Sequence, residues 1–209
     1  MSRMPKSLVD YQYSRPVLRD LDILTFNLRI VHTFECEDQF DEWFRSDTSE
    51  PIWKLVWVSV FPSAVSAAFR ILDRKNSGLR KMLGEFQEND VDGVAEIDEE
   101  LQNLRKSSSW KNLEHFRHDA VAHSRSPRHS TREFPRTLEA IETLSAVASL
   151  AKRALELPTG SLPAGFPWED VLARRLVEHL FQAGRDVVGN SELTLSGELQ
   201  TDVYNLKVR

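Results

Sequence analysis

Cysteine is almost missing from this chain of 209 residues, which contains only Cys36. A single cysteine excludes an intramolecular disulfide framework and favours a reducing compartment, so we expect a cytoplasmic protein. The paired Cys-x-x-Cys spacings of structural zinc sites and the His-Glu-x-x-His motif of zinc proteases are also missing. We therefore expect no metal and no other cofactor.

Long hydrophobic runs are scarce as well. The longest uncharged apolar stretch, residues 55–69, has 15 residues and contains Pro62, whereas a transmembrane helix needs about 20 apolar residues. The first 16 residues have no apolar segment of the kind that secretory signal peptides contain. We expect residues 55–69 to belong to a buried helix kinked at Pro62, and we expect no contact with a membrane.

Apolar residues recur at spacings of three and four along most of the chain, which predicts an all-α bundle of six or seven helices. One predicted stripe consists of Leu138, Ile141, Leu144, Val147 and Leu150. Other helices are predicted around residues 17–31, from Pro51 to about residue 73, at 79–86, at 94–106, from a serine cap near Trp110 to about Ser124, and at 168–188. Residues 1–157 form the predicted bundle. Residues 158–209 add a helix, which packs on the bundle or at a dimer interface, and a tail that fits either a small β-hairpin or an amphipathic helix.

Charge is strongly segregated although the net charge is only −5. Residues 85–100 contain eight acids and no Lys or Arg, whereas residues 105–136 contain eight Lys or Arg against three acids. Four of the six histidines also lie in the basic segment. A polyanionic partner is therefore expected to bind there.

The densest part of that segment is residues 114–124, EHFRHDAVAHS. One interpretation is a solvated polar helix without a function. Another is a metal site, because His115 and His118 are three residues apart and Asp119 lies one helical turn from both His115 and His123. A third is RNA cleavage without a metal, in which His123 moves the 2′-OH proton and Arg117 stabilises the charge that builds up on the phosphate.

Helical geometry complicates this pairing. Six residues turn an α-helix by about 600°, which leaves Arg117 and His123 roughly 120° apart on its surface. Asp119 and His123, four residues apart, share a face, so Asp119 is a candidate for orienting the imidazole. The basic residues Lys111, Arg125, Arg128 and Arg132 are candidates for contacts with RNA phosphates, although a solvated basic loop fits the last three equally well.

The segment FRHDAVAHS resembles the signature of HEPN domains (higher eukaryotes and prokaryotes nucleotide-binding), in which a histidine follows an arginine by four to six positions. It is most similar to the form found in the AbiU-like family of abortive-infection proteins. The upstream segment AAFRILDRKNSGLRKML resembles a second block of that family, an apolar helix that ends in Leu-Asp. The resemblance extends over residues 17–157.

The resemblance implies an antiparallel helical bundle that forms a homodimer with the two motif helices facing each other. It assigns Arg117 and His123 as the catalytic pair, with His118 at the polar position after the arginine and Asp73 as a support for the motif helix. His118 and Asp119 stand where the family commonly has aspartate and lysine, which leaves the orienting role open between them. The implied activity is a metal-independent endoribonuclease of the toxin or phage-defence type that leaves a 2′,3′-cyclic phosphate, with an antitoxin protein as a candidate partner. The alternative is a non-catalytic helical dimer that binds nucleotides, RNA or a protein partner.

Overall fold

The computed structural model describes residues 7–36, 59–73, 78–118 and 137–162. This part of the chain is all-α, as the spacing of apolar residues predicts, and contains no strand. Its elements are a 3₁₀ turn at Leu8–Asp10 and the helices α1 Ser14–Cys36, α2 Phe61–Ile71, α3 Leu79–Glu88, α4 Val94–Lys106, α5 Ser108–Phe116 and α6 Thr137–Glu156.

The helices share one hydrophobic core, with α1 and α6 at its centre. Helix α1 packs against α2, α3 and α6, and α6 also contacts α4 and α5. The buried side chains of α1 follow its apolar spacing, and Leu21 and Leu24 are fully enclosed. Burial of such a side chain stabilises the fold by about 1.5–3 kcal/mol. The buried apolar face of α1 therefore accounts for the position of this helix in the bundle.

Helix α2 contains residues 61–69 of the apolar stretch at residues 55–69, and one of its faces is buried. Regular α-helix begins at Phe61 with Pro62 in its first turn, where the missing N–H of proline needs no partner. The buried face of α2 includes Ala64, Ala67 and Ala68, whose small side chains let neighbouring helices approach closely. None of the described helices is long and apolar enough to cross a bilayer.

Two short connections set the directions of α3, α4 and α5. Gly93 precedes α4 with φ at +82°, a left-handed conformation that glycine adopts without strain. Ser107 then separates α4 from α5 and accepts a hydrogen bond from the Trp110 backbone N–H at 3.2 Å. The predicted serine cap is therefore confirmed, and α5 starts two residues earlier than expected.

The predicted apolar stripe on α6 is correct for four of its five members. Ile141, Leu144, Val147 and Leu150 are buried, but 58% of Leu138 is exposed. Leu138 lies in the first turn of the helix, where the described helices do not cover the apolar face. The predicted helix at residues 168–188 and the tail lie within residues 163–209, outside the described part of the chain, so the division of the chain at 157/158 stays a prediction.

Candidate functional site

Helix α5 carries the first half of the histidine-rich segment. Its inner face is formed by Trp110 and Leu113, which are buried in the core. Arg117 follows Leu113 by four residues and therefore lies at the end of the same face. The chain is still helical at Arg117, with φ −57° and ψ −45°. The face of α5 that packs on the bundle thus places Arg117 beside the neighbouring helix, although the residue itself is exposed.

The neighbour that Arg117 meets is Phe69 of α2. The guanidinium carbon of Arg117 lies over the Phe69 ring, 4.7 Å from its centroid. Phe69 in turn stacks on Trp110, with 4.4 Å between the ring centroids and 27° between the planes. An arginine over an aromatic ring gains about 0.5–1 kcal/mol at an exposed site. This contact therefore restricts where the exposed guanidinium of Arg117 can move.

Further contacts fix α5 against the bundle. The Phe116 ring meets the edge of Phe61 with 5.2 Å between the centroids, and the indole N–H of Trp110 donates to Glu114 Oε1 at 3.1 Å. Trp110 is only 2% exposed, so it serves as a core anchor, as expected, and presents no free face to a nucleobase. The backbone from which Arg117 projects is consequently held by several aromatic rings.

A cavity of about 320 Å³ lies beside Arg117. Among the described residues, three arginines line it together with two acids and three apolar residues; they are Arg70, Arg105, Arg117, Asp73, Glu114, Phe69, Leu72 and Trp110. Asp73 and Arg117, which the sequence connects only through the family resemblance, therefore meet at one cavity. Asp73 directly follows the C-terminal turn of α2, as the segment ILDR predicts.

The other predicted residues divide into two groups. Lys111 and His118 are exposed, and neither belongs to the described lining of the cavity. Residues Asp119, His123, Arg125, Arg128 and Arg132 lie outside the described residues, so their predicted roles remain predictions. The same holds for the expected end of the motif helix near Ser124.

Sequence reasoning missed Phe69, Arg70 and Arg105 as members of this site. Arg70 pairs with Asp20 of α1, whose Oδ1 accepts a hydrogen bond from Arg70 Nε at 2.9 Å. A weak signal for Phe69 was its place at the end of an apolar helix, in the segment AAFR. Arg70 stands in the quoted segment AAFRILDRKNSGLRKML, which assigns it no role, and Arg105 stands in no quoted motif; the two residues reach the cavity from the ends of two different helices.

Metal binding and phosphate binding make different demands on such a site. Among the described residues, no group of three His, Cys, Asp or Glu side chains is placed to hold a metal ion. Arg70 and Arg117 at one cavity suit phosphate oxygens, because a guanidinium group offers a planar set of N–H donors that is always charged. No protein-family profile, curated protein or solved structure matches this chain.

Proposed function

We propose that this chain is an endoribonuclease of the HEPN type, which cleaves RNA without a metal and uses Arg117 and His123 as its catalytic pair. The observation that carries the proposal is the position of Arg117. Its exposed guanidinium rests on Phe69 at a cavity that two further arginines line. A cation restrained in this way beside an open cavity is suited to the charge that develops on a phosphate during cleavage.

In the proposed reaction, neutral His123 accepts the proton of the ribose 2′-OH. The 2′-oxygen attacks the adjacent phosphorus, and Arg117 stabilises the negative charge on its non-bridging oxygens. The bond from phosphorus to the 5′-oxygen then breaks, and that oxygen takes up a proton from water. Protonated His123 returns its proton to the hydroxide that the water leaves, so the products are a 2′,3′-cyclic phosphate and a 5′-hydroxyl, and the histidine is neutral again.

The proposal includes a homodimer in which Arg117 of one subunit works with His123 of the other. On a straight helix the two side chains would be about 120° apart, and a two-fold contact between motif helices removes this difficulty. The biological role that fits the resemblance is a toxin or phage-defence protein acting on cytoplasmic RNA, restrained by an antitoxin protein. The alternative is a non-catalytic helical dimer that binds nucleotides, RNA or a protein partner, and the arginines at the cavity would then serve for binding alone.

The test is cleavage of a uniformly labelled RNA by the wild-type chain and by His123→Ala, with and without EDTA. We expect cleavage by the wild type in EDTA and a loss of at least ~10²-fold in His123→Ala, the lower end for a positioned acid–base group. Binding of RNA by His123→Ala should largely persist, because basic residues supply most of the attraction to phosphate. Equal cleavage by both chains would exclude this role of His123, and loss of cleavage in EDTA that a divalent ion restores would favour a metal site.

A cellular experiment separates the two candidate functions. Expression of the wild-type chain should arrest growth, and expression of His123→Ala at the same level should not. If both chains arrest growth equally, or if neither RNA cleavage nor toxicity is seen, the non-catalytic alternative is the better account.

A further inference from the structure

The cavity beside Arg117 contains a second arginine whose orientation is fixed by a buried acid. Arg70 lies in the last turn of α2 and lines the cavity. Its Nε donates to Asp20 Oδ1 at 2.9 Å, and the Asp20 side chain is only 4% exposed. Asp20 projects from α1, which packs against α2, α3 and α6, and its Oδ1 also lies 3.5 Å from Nη2 of Arg19.

This pair leaves part of the Arg70 guanidinium available to a ligand. The contact with Asp20 uses Nε, and within the described residues neither Nη of Arg70 takes part in a hydrogen bond. The Arg70 side chain is 45% exposed although its partner is buried. An arginine that is held by one edge and open at the other presents a rigid pair of donors, the arrangement that suits the two non-bridging oxygens of a phosphate.

The described charges around the cavity favour a negatively charged ligand. Among the described lining residues, Arg70, Arg105 and Arg117 contribute three positive charges, and Asp73 and Glu114 contribute two negative charges. Positive charge is therefore in excess on this side of the cavity, which attracts the phosphates of a strand. The volume of about 320 Å³ is also near the lower end for ligand pockets, so it fits one nucleotide of a longer strand.

We propose that Arg70 binds a phosphodiester of the RNA strand next to the phosphate that Arg117 contacts, and that Asp20 is the residue that positions Arg70 for this contact. The proposal rests on the proposed function, because it takes RNA as the ligand. It assigns two residues from α1 and α2, far from the histidine-rich segment in sequence, to recognition of the strand.

The experiment measures RNA binding as a function of salt in a chain that cannot cleave. His123→Ala serves as the parent, and the test variant adds Asp20→Asn together with Arg70→Gln. Replacing both partners avoids leaving a buried carboxylate alone, which would cost several kcal/mol, and leaves the net charge of the protein unchanged. Thermal unfolding is measured for each chain to verify that it is folded.

A matched control removes a different ion pair in the same way. Arg153 of α6 donates to Glu100 of α4 at 2.9 Å, and neither residue lines the cavity. The control therefore adds Glu100→Gln and Arg153→Gln to the same parent, which also leaves the net charge unchanged. Binding of a fluorescently labelled single-stranded RNA is followed by anisotropy over a range of salt concentrations.

We expect the slope of log K against log salt to become shallower by about 0.7 in the Asp20/Arg70 variant, the contribution of one phosphate contact to a single strand. The control should keep the slope of the parent. An unchanged slope in the folded Asp20/Arg70 variant would overturn the Arg70 contact and leave the proposed function standing. Absence of RNA binding by the parent would overturn both proposals. The contact would also be overturned if the Asp20/Arg70 variant bound a nucleoside triphosphate more weakly than the parent does while its salt slope with RNA stayed unchanged.

Discussion

The guanidinium carbon of Arg117 lies 4.7 Å from the centroid of the Phe69 ring. The contact joins the C-terminal end of α5 to the C-terminal end of α2, across 48 positions of sequence. Because Phe69 also stacks on buried Trp110, the ring that supports Arg117 is itself held in place. Arg117 therefore combines a restrained position with an exposed charged group, two properties that a long surface side chain does not usually have together.

The first prediction concerns the shape of the Arg117 group. Arg117→Lys retains the positive charge but loses the planar set of donors and the flat face that lies on Phe69. We expect it to reduce RNA cleavage nearly as much as Arg117→Ala does, which initial rates on a labelled RNA would measure. Lys111→Ala, on the same helix but outside the described lining of the cavity, is the comparison. Wild-type rates for Arg117→Lys would show that charge alone is sufficient at this position.

The second prediction concerns assembly of the site from two subunits. If each site takes Arg117 from one chain and His123 from the other, a heterodimer of Arg117→Ala and His123→Ala contains one intact site and one doubly defective site. After subunit exchange at equal amounts, half of the dimers are mixed, so about one quarter of the wild-type activity should return. The measurement is cleavage before and after exchange. No recovery in a verified mixed dimer, or a monomer by light scattering, would exclude the shared site.

The third prediction concerns the acid beside the histidine. If Asp119 shares a helix face with His123, as the spacing of four residues predicts, its carboxylate favours the protonated imidazole, and removal of that charge should make His123 easier to deprotonate. Since the proposed base acts in its neutral form, Asp119→Asn should move the acidic limb of the pH–rate profile to lower pH, with a milder loss of rate than His123→Ala. An unchanged profile in Asp119→Asn and a shifted profile in His118→Asn would assign the orienting role to His118.

The sequence predicts the helices better than the site because different forces determine them. Local chemistry sets the beginning of α5 through the Ser107 cap, so this helix start can be recognised from neighbouring residues. The pair of Asp20 and Arg70, by contrast, is 50 residues apart and forms only when α1 packs against α2. Periodicity likewise identifies the apolar face of α6 but not how far its neighbours extend, which is why Leu138 is exposed.

The fourth prediction concerns the pH dependence of stability. The hydrogen bond from Arg153 lowers the pKa of Glu100, so the folded state favours the ionised carboxylate. A lowered folded pKa contributes stability that is complete above the ordinary glutamate pKa of about 4.3 and is lost as the pH falls through the folded value. Both side chains are 48% exposed, so the contribution should be below about 1 kcal/mol. Glu100→Gln should therefore lower the unfolding free energy slightly at pH 7 and have no effect near pH 2, whereas Glu99→Gln should have little effect at either pH.

The fifth prediction concerns the attachment of the N-terminal turn to α3. The two carboxylate oxygens of Glu85 accept hydrogen bonds from the backbone N–H groups of Gln12 and Tyr13, at 2.9 and 3.1 Å, just before α1 begins at Ser14. Helix starts have N–H groups without intrahelical partners, and loss of a side chain that accepts from them costs about 0.5–2 kcal/mol. Glu85→Gln should thus lower the melting temperature by about 2–4 °C, the shift that ~1 kcal/mol produces in a chain of this size. Glu88→Gln, an exposed change on the same helix, is the control. Equal melting temperatures for the two variants would mean that Glu85 does not hold the start of α1.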